Sequence, residues 1–431
     1  MRAPNSPGRC RWRLALAGSA MAVALAIPLV GGLMGAQGGA RTSPSPAFGS
    51  PGGAPAAAWT RRWSAAPAEV TGRWGAVWRP DTEIASGGST RLADAGAAAQ
   101  YRYARTGTPH YTLAVPRPGT YAITVATAPA PGSTRTRTLR VEAGADPVRT
   151  LRFVDQGGSP RRAMFLARTP ALALRFRVAG ADVVAVTATS ALRDERPLAV
   201  KWADEFDGAA GTPPGGRWRA QTGATGWGND ELQDYTAGTA NAALTGTGRL
   251  ALTARREHGG RFTSARLRST YEGTYGRIEG LIRMPAGAGL LPAFWTLGAD
   301  IERVGWPQCG EVDLVESLGA AEPDRVHGTV HGPDGTRQGW AHGWTAWPPG
   351  GPAGGFHTYT LDWWPGVLQW SVDGVVHGVM ESADMPAGRW VFEKPAFLLL
   401  SLAVGGRWPG RPPAATVFPQ AMEVGSVRWL G

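Results

Sequence analysis

Hydrophobic and polar residues alternate over several short segments in the first half of the chain. Residues 111–116 and 121–126 alternate on either side of the turn sequence Arg-Pro-Gly-Thr. The same alternation returns at 136–141, 172–178 and 183–189. A period of two residues is that of a β-strand with one buried face. These segments therefore predict a small β-sandwich.

The second half of the chain carries the same kind of pattern. Residues 249–255 alternate, and 397–404 form an apolar run typical of a strand buried on both faces. Residues 367–372 and 375–379 flank Asp373-Gly374, a pair that suits the type I′ turn of a hairpin. No helical period of useful length occurs. The sequence therefore predicts an all-β protein with a second β-sandwich in this half.

The first residues have the pattern of an export signal. Four Arg residues precede an apolar run at 14–30, and small residues follow it up to residue 40. We expect 1–40 to be a signal peptide, although the run is long enough for an uncleaved membrane anchor. Residues 41–57, rich in Gly, Ala, Pro and Ser, predict a linker before units at 58–197 and 198–431. The protein is then expected to be secreted, or anchored to the outer face of the cytoplasmic membrane.

Cysteine usage agrees with a fold that does not depend on disulfides. The chain has two cysteines, and Cys10 falls in the predicted signal. Cys309 would be left alone after processing, so we expect no intramolecular disulfide and a buried thiol.

Charge divides the chain into two parts. The formal net charge is +11, and residues 41–200 contain 21 Arg against 10 acidic residues. Residues 201–431 contain 19 basic against 23 acidic residues. No nucleic-acid-binding motif accompanies the basic residues, so a nucleic-acid partner is not expected. An anionic cell-wall or glycan surface and an ordinary solvated surface both remain open for the first half.

Three acidic residues interrupt an apolar strand at 310–319, whose sequence is Gly-Glu-Val-Asp-Leu-Val-Glu-Ser-Leu-Gly. A carboxylate is costly to bury unless it is paired or neutral, so three of them indicate a function rather than a solvated edge. Side chains alternate along a strand, which places Glu311 and Asp313 on one face and Glu316 on the other. A β-bulge at Leu314 or Val315 would return Glu316 to the common face, and bulges are frequent beside active sites. We predict such a bulge.

Carboxylates gathered on one face suit the cleavage of a glycosidic bond with retention. One carboxylate attacks the anomeric carbon, its partner protonates the leaving oxygen, and the third can hold a proton or hydrogen-bond the nucleophile. Mutual repulsion raises the pKa of one member, so a proton donor persists near neutral pH. The 19 Trp residues fit a sugar substrate because flat indoles stack on sugar faces, although sandwich cores also use them.

Residues of about 200–431 resemble glycoside hydrolase family 16, specifically its bacterial laminarinase-like endo-β-1,3-glucanases. The matching motifs include Trp202-Ala-Asp-Glu-Phe-Asp-Gly, Gly226-Trp-Gly-Asn-Asp-Glu-Leu-Gln-Asp-Tyr-Thr, Thr263-Ser-Ala-Arg-Leu, Pro292-Ala-Phe-Trp-Thr-Leu-Gly, Gly305-Trp-Pro-Gln-Cys-Gly-Glu-Val-Asp-Leu-Val-Glu and Ala403-Val-Gly-Gly-Arg-Trp-Pro-Gly. The resemblance implies a curved β-jelly roll with an open cleft, a β-glucan polysaccharide as substrate and no required cofactor. The spacing of the acids, one residue longer than in lichenase-like members, favours the laminarinase-like branch. We expect a monomer.

The resemblance also implies roles for individual residues. Glu311 would be the nucleophile, Asp313 its assistant and Glu316 the acid/base. Further positions that line the family's cleft are Trp295 and Trp306 as sugar platforms, Asn229 and Arg277 as hydrogen-bond donors, and His331 as a neighbour of the acid/base. A structural salt bridge is the alternative for Arg277, and a buried, satisfied imidazole is the alternative for His331.

Three positions depart from the family's pattern. Leu291 stands where Trp is common, so one stacking surface on the donor side is missing, and Ser401 stands where Asn is usual. Gly425 replaces an Asp that, with a Glu at the position of Glu205, typically supplies ligands to a structural calcium. Glycine has no side chain to offer, so the resemblance implies a calcium site that lacks one of its usual ligands.

Other functions remain compatible with these residues. A family 16 enzyme can act on mixed-linkage glucan or a galactan, or catalyse transglycosylation, and the fold also occurs in glucan-binding proteins without catalysis. Such binders typically lose the catalytic acids, and all three remain here, which favours an enzyme. The first unit weakly resembles malectin-like carbohydrate-binding modules in its Tyr-rich strand openings, so a sugar binder and a structural spacer both stay open.

Overall fold

The computed structural model describes residues 59–431 except 73, 93–97, 129–133, 144–147, 157–159, 191–197 and 387. The predicted signal and linker lie outside the described residues, and so does the stretch 191–197 that ends the first predicted unit. These boundaries stay predictions. Within the described residues, no helix is long and apolar enough to span a membrane.

Strands account for nearly all the regular structure. The N-terminal unit, residues 59–190, contains β1 (Thr60–Ser64), β2 (Val70–Thr71), β3 (Val77–Pro80), β4 (Ser89–Arg91), β5 (Tyr103–Arg105), β6 (His110–Ala114), β7 (Gly119–Thr127), β8 (Thr134–Ala143), β9 (Arg149–Gln156), β10 (Arg161–Thr169), β11 (Ala173–Ala179) and β12 (Val183–Ser190).

The C-terminal unit, residues 198–431, contains β13 (Val200–Asp204), β14 (Trp218–Ala220), β15 (Gln233–Tyr235), β16 (Ala242–Leu244), β17 (Leu250–Arg256), β18 (Phe262–Ser264), β19 (Arg266–Gly273), β20 (Gly276–Arg283), β21 (Leu290–Gly298), α1 (Ile301–Val304), β22 (Glu311–Glu316), β23 (Val326–Gly332), β24 (Trp340–Ala346), β25 (His357–Trp364), β26 (Val367–Val372), β27 (Val375–Glu381), β28 (Ala396–Val404) and β29 (Gln420–Leu430). The all-β prediction is confirmed.

The strands form three sheets. The carboxylate sheet, which contains the three acids, has the order β14-β19-β28-β21-β22-β23-β24. The shared sheet has the order β15-β18-β17-β29-β20-β25-β26-β27-β9-β8-β11-β6, with β13 and β16 at its side. The N-terminal sheet has the order β10-β7-β12-β1-β3-β2, with β4 and β5 at its side. The shared sheet therefore runs through both units.

Both units are β-sandwiches, as the sequence predicts. In the N-terminal unit, Phe165 of β10 meets Phe176 of β11 with ring centroids 5.5 Å apart, which joins the two sheets there. In the C-terminal unit, Trp370 of the shared sheet donates its indole N–H to the Asp313 carbonyl oxygen of the carboxylate sheet at 2.8 Å. Most of the buried apolar residues of both units belong to one contiguous cluster.

Two local expectations are confirmed. β26 and β27 form an antiparallel hairpin around Asp373 and Gly374, whose φ values of 50° and 72° are the left-handed conformations that a type I′ turn requires. Cys309 is a buried free thiol.

The two units are joined by backbone pairing that the sequence does not reveal. β27 of the C-terminal unit pairs in parallel with β9 of the N-terminal unit, with Val375 opposite Arg152 and Val376 opposite Phe153. His377 has no partner on β26, so it forms a bulge that changes the alternation of β27. The shared sheet thereby continues directly from one unit into the other.

The register fixes which side of the shared sheet each unit covers. Gln369 of β26 exchanges hydrogen bonds with the backbone of Met164 on the N-terminal sheet, whereas its neighbour Trp370 faces the carboxylate sheet. Because His377 is extra, Val376 pairs with Ser371, whose side chain points the same way as that of Gln369. Val376 and its β9 partner Phe153 therefore face the N-terminal sheet, as Gln369 does. The N-terminal sheet and the carboxylate sheet therefore lie on opposite sides of the shared sheet.

A buried ion pair closes the junction between the units. Arg162 of β10 binds Glu381 at 3.3 Å and Asp384 at 2.6 Å, and donates to the Val379 carbonyl oxygen at 2.7 Å. The Glu381 side chain is 3% exposed, and burial raises its pKa against the opposing effect of Arg162. The Thr187 hydroxyl also donates to Glu381. Loss of Arg162 would leave this buried carboxylate without its hydrogen-bonded cation, with only the charge of Arg62 still acting on it.

We expect Arg162→Gln to lower the free energy of unfolding by about 3–5 kcal/mol, because a buried carboxylate loses its partner. Denaturant unfolding of the full chain measures this. Arg428→Gln is the matched control, since it breaks a solvent-exposed pair with Glu205. Equal stability of the two variants would show that the junction does not depend on this ion pair.

Candidate active site

The bulge predicted in β22 is present. On the β21 side, Glu316 pairs with Ala293 and Asp313 with Trp295, so three steps of β22 match two steps of β21. On the β23 side, Asp313 pairs with Thr329 and Glu316 with His327, again with a register shift. The extra residue returns Glu316 to the face that carries Glu311 and Asp313. We call this side of the carboxylate sheet the carboxylate face.

Register also aligns side chains from neighbouring strands with each carboxylate. His331 lies opposite Glu311, Thr329 opposite Asp313, and His327 opposite Glu316 on β23. The same parity places three rows of side chains across the carboxylate face: Arg266, Ser401, Ala293, Glu316, His327 and Thr345; Leu399, Trp295, Asp313, Thr329 and Gly343; and Phe397, Leu297, Glu311, His331 and Ala341.

Each carboxylate has a different set of polar neighbours. The Trp306 indole N–H donates to Glu311 Oε2 at 3.0 Å, and the Thr329 hydroxyl donates to Glu316 Oε2 at 3.3 Å. His331 Nε2 lies 3.4 Å from Asp313 Oδ2 and 3.7 Å from Glu311 Oε1. Those two oxygens accept no hydrogen bond from the described residues. Both can therefore accept one from a substrate, or hold a proton.

Burial makes the three carboxyl groups reluctant to ionise. It raises the pKa of Glu311 and of Glu316 to about 8, and the nearby charge of Asp313 is the next cause in both cases. Burial also raises the pKa of Asp313 well above its usual range. The three groups titrate as a coupled set, so the carboxylate face retains at least one proton at neutral pH. A general acid needs that property.

Of the two predicted sugar platforms, Trp306 is the more open. Trp306 is half-buried, beside His331 at 6.1 Å between ring centroids. Trp295 is 6% exposed, donates its indole N–H to Ser401 at 3.0 Å, and has the Arg266 guanidinium over its ring at 4.5 Å. This placement favours Trp295 as support beneath the site. The platform role of each indole stays a prediction.

Asn229 lies in a loop beside the carboxylate sheet. Its side chain is fully buried, and its Oδ1 accepts from the backbone N–H of Arg407 at 3.3 Å. A Cβ at Gly406 would come within 2.9 Å of Asn229 Nδ2, so glycine is needed for this approach. The predicted contact between Asn229 and the substrate stays a prediction.

Comparisons with known proteins match the C-terminal unit. The family model of the Glycosyl hydrolases family 16 matches residues 229–424. A β-glucanase of Rhodothermus marinus is 37% identical over 245 residues, which cover 53% of this chain and 83% of that protein. The chain belongs to glycoside hydrolase family 16.

Solved structures of family 16 agree with this assignment. A laminarinase from Rhodothermus marinus aligns with a TM-score of 0.50 and 37% identity, covering 54% of this chain and 97% of that one. An endo-1,3-β-glucanase from Streptomyces sioyaensis aligns with a TM-score of 0.51 and 30% identity, covering 56% and 98%. The C-terminal unit thus carries the glycoside hydrolase fold, whose chemistry needs no cofactor.

The prediction that Arg277 binds substrate is wrong. Arg277 lies on β20 of the shared sheet, on the other layer of the family 16 sandwich from the carboxylates. Its guanidinium binds Asp362 of β25 at 2.7 Å, and Asp362 also accepts from Gln369. The alternative of a structural salt bridge is therefore the observed one. Arg277 faces the N-terminal unit because its neighbour Ile278 occupies the fully buried position of that strand.

Sequence reasoning missed two side chains of the site. Arg266 lies in the same row as Glu316, is buried between Trp227 and Trp295, and donates to Gln221 at 2.7 Å. Glu231 is half-buried and close enough to Arg266 for the two charges to interact, and desolvation raises its pKa. Both belong to family 16 motifs visible in the sequence. The motifs could have pointed to both residues, but only the strand register shows that Arg266 is aligned with Glu316 across the sheet.

The residues of the implied calcium site do not fit a metal ion. Both carboxylate oxygens of Glu205 accept from the Arg428 guanidinium, at 2.7 and 2.9 Å, so this carboxylate already has a cation. Gly425 has no side-chain oxygen. Among the described residues, the one group of metal-ligand type with converging atoms is Glu311, Asp313 and His331, which belongs to the carboxylate face.

We expect Glu316→Gln to stabilise the protein more at pH 8 than at pH 5. The pKa of Glu316 rises from 4.5 to about 8 on folding, so its stabilising effect is full below pH 4.5 and is lost as pH rises towards 8. The amide removes this loss, which is on the order of 4 kcal/mol at pH 8 and about 1 kcal/mol at pH 5. Urea unfolding at the two pH values measures the difference, with exposed Glu302→Gln as control. A gain of equal size at both pH values would contradict the raised pKa.

Proposed function

We propose that the chain hydrolyses internal β-1,3 linkages of a laminarin-type glucan with retention of configuration. The observation that carries the proposal is the bulged strand, which gathers Glu311, Asp313 and Glu316 on one face. Relatives support the substrate: the proteins from Rhodothermus marinus and Streptomyces sioyaensis are named as a laminarinase and an endo-1,3-β-glucanase. Both align over almost their whole length.

Polar contacts favour Glu311 as the nucleophile. The Trp306 N–H stabilises the ionised form of its carboxylate, and the His331 imidazole lies on its other oxygen. In the first step Glu311 attacks the anomeric carbon, while Glu316 gives its proton to the departing glycosidic oxygen. The C–O bond to the leaving sugar breaks, and a glycosyl ester of Glu311 forms.

The second step returns the enzyme to its starting state. The Glu316 carboxylate removes a proton from water, whose oxygen attacks the anomeric carbon and releases Glu311. Asp313, between the two, can keep the shared proton and limit the build-up of negative charge on the strand. Two inversions give net retention.

Glu311→Gln and Glu316→Gln should each lower the turnover of laminarin by about 10³-fold or more, because each removes one partner of the double displacement. An aryl glycoside with a good leaving group should restore the first step of Glu316→Gln, seen as a burst of the released aryl alcohol, since that step then needs no proton. Azide should rescue Glu311→Gly and give the inverted glycosyl azide. Near-normal laminarin turnover by both Gln variants, alongside the Glu302→Gln control, would refute these roles.

Linkage specificity is tested with the unmodified enzyme. Laminarin should be cut to short oligosaccharides whose first products have the β-anomeric configuration by proton NMR. Lichenan, agarose and xylan serve as the competing polymers. Faster cleavage of any of the three than of laminarin would overturn the β-1,3 assignment.

We also propose that the protein is exported and works as a monomer outside the cytoplasm. The basic residues before the apolar run at 14–30 support export. When the full sequence is expressed in a secreting host, the culture medium should contain chains that begin near residue 40, as N-terminal sequencing would show. A calibrated sizing column should give the mass of one chain. Full-length protein retained in the membrane would instead support the uncleaved anchor.

A further inference from the structure

One outer face of the N-terminal unit presents a row of arginines. Arg140 of β8, Arg152 of β9, and Arg175 and Arg177 of β11 are exposed, while the residues that alternate with them are mostly buried and apolar. His110 of β6 lies opposite Arg177 and is also exposed. We call the four arginines the arginine face. They lie diagonally across three consecutive strands that are about 4.8 Å apart, because Arg152 is opposite Thr138, Arg140 opposite Ala179, and Arg177 opposite Glu142.

The arginine face carries more positive charge than the described carboxylates around it can balance. Glu142 pairs with Arg177 through two hydrogen bonds of 2.5 Å. Among the described side chains, no carboxylate lies within 4 Å of Arg140, Arg152 or Arg175. The whole unit shares this excess, since residues 59–190 hold 18 Arg against 8 acidic residues. Such a surface attracts anions.

The arginine face points to the same side of the shared sheet as the carboxylate sheet. Arg152 is opposite Val375 and adjacent to Phe153, which faces the N-terminal sheet, so Arg152 must face the other way. That other side is the one that Trp370 and the carboxylate sheet occupy. Arg152 is opposite Thr138 on β8, and every second residue of a strand faces the same side, so Arg140 faces this side too. Arg177 of β11 is opposite Glu142 of β8, which places Arg177 and Arg175 on this side as well.

A polymer that crosses the carboxylate face would extend towards these arginines at one of its two ends. Glu311 and Glu316 act from two sides of one sugar, so the glycan crosses β22 rather than following it. In that direction the carboxylate sheet ends at β24, whose Trp344 packs directly on Gly378 of β27. Beyond β27 the shared sheet continues as β9, β8 and β11, which carry the arginine face.

We propose that the arginine face binds the acidic sugars of a polysaccharide whose β-1,3-glucan stretch lies at the site of hydrolysis, on the part of the chain that extends past β24. Guanidinium groups bind carboxylates through paired hydrogen bonds, and several along one sheet can engage successive acidic sugars. The position of the glycan at the carboxylates rests on the proposed function, whereas the binding of acidic sugars by the arginine face does not. The backbone pairing of β9 with β27 fixes the distance between the two sites.

Binding is measured on the full chain in the inactive Glu311→Gln background, with carboxymethylated β-1,3-glucan and unmodified laminarin as probes. The triple variant Arg140→Gln, Arg152→Gln and Arg175→Gln should raise the Kd for the carboxymethylated glucan about tenfold at low ionic strength. The Kd for laminarin should not change. Near 1 M salt the difference should vanish, because charges are then screened over about 3 Å.

A second triple variant controls for net charge. Arg61→Gln, Arg79→Gln and Arg91→Gln removes three exposed arginines from the N-terminal sheet, on the far side of the unit. This control should bind both glucans like the parent. With Glu311 intact, both triple variants should hydrolyse laminarin normally. Laminarin hydrolysis therefore tests the proposed function, and binding of the carboxymethylated glucan tests the arginine face.

Three results would overturn the proposal. An unchanged Kd for carboxymethylated glucan in the first triple variant would exclude the arginine face. An equal loss in the control would show an effect of net charge alone. Binding of a DNA duplex or of phosphatidylglycerol vesicles through the same arginines, as tightly as the acidic glucan, would show that the surface does not select a polysaccharide.

Discussion

A single extra residue in β22 is the constraint on which the chemistry depends. Without the bulge, alternation would turn Glu316 into the sandwich core, and two carboxylates rather than three would share a face. Both neighbouring strands shift register at this point, so the irregularity is held from either side. The layer beneath adds support, since the Trp370 indole N–H binds the Asp313 carbonyl oxygen next to the bulge. The site is thus fixed by backbone pairing rather than by mobile loops.

The price of this arrangement is the burial of three ionisable groups in one strand. All three have raised pKa values, so the fold works against their ionisation. A strand in the middle of a sheet can bear this because β21 and β23 satisfy its backbone groups on both edges. Reactivity and stability are therefore in opposition at the same residues, a common property of active sites.

Local pattern was enough to predict much of the molecule, and its failures have a physical reason. Alternation predicted the strands, and the conflict between alternation and three acids predicted the bulge. Arg277 was misassigned because alternation shows that its side chain points away from the core. It does not show which sheet of the sandwich contains the strand. The pairing of β9 with β27 left no signal, because two residue pairs joining segments more than 200 residues apart have no distinctive composition.

The shared sheet has a consequence for how such proteins can change over evolutionary time. Appended domains on a flexible tether can be exchanged by recombination, because neither partner contributes to the other's structure. Here the hydrogen bonds of β9 and the bulge at His377 set the orientation of the appended domain. A one-residue deletion in β27 would reverse the side of the sheet that this domain covers. The two units should therefore be inherited, and engineered, as one piece.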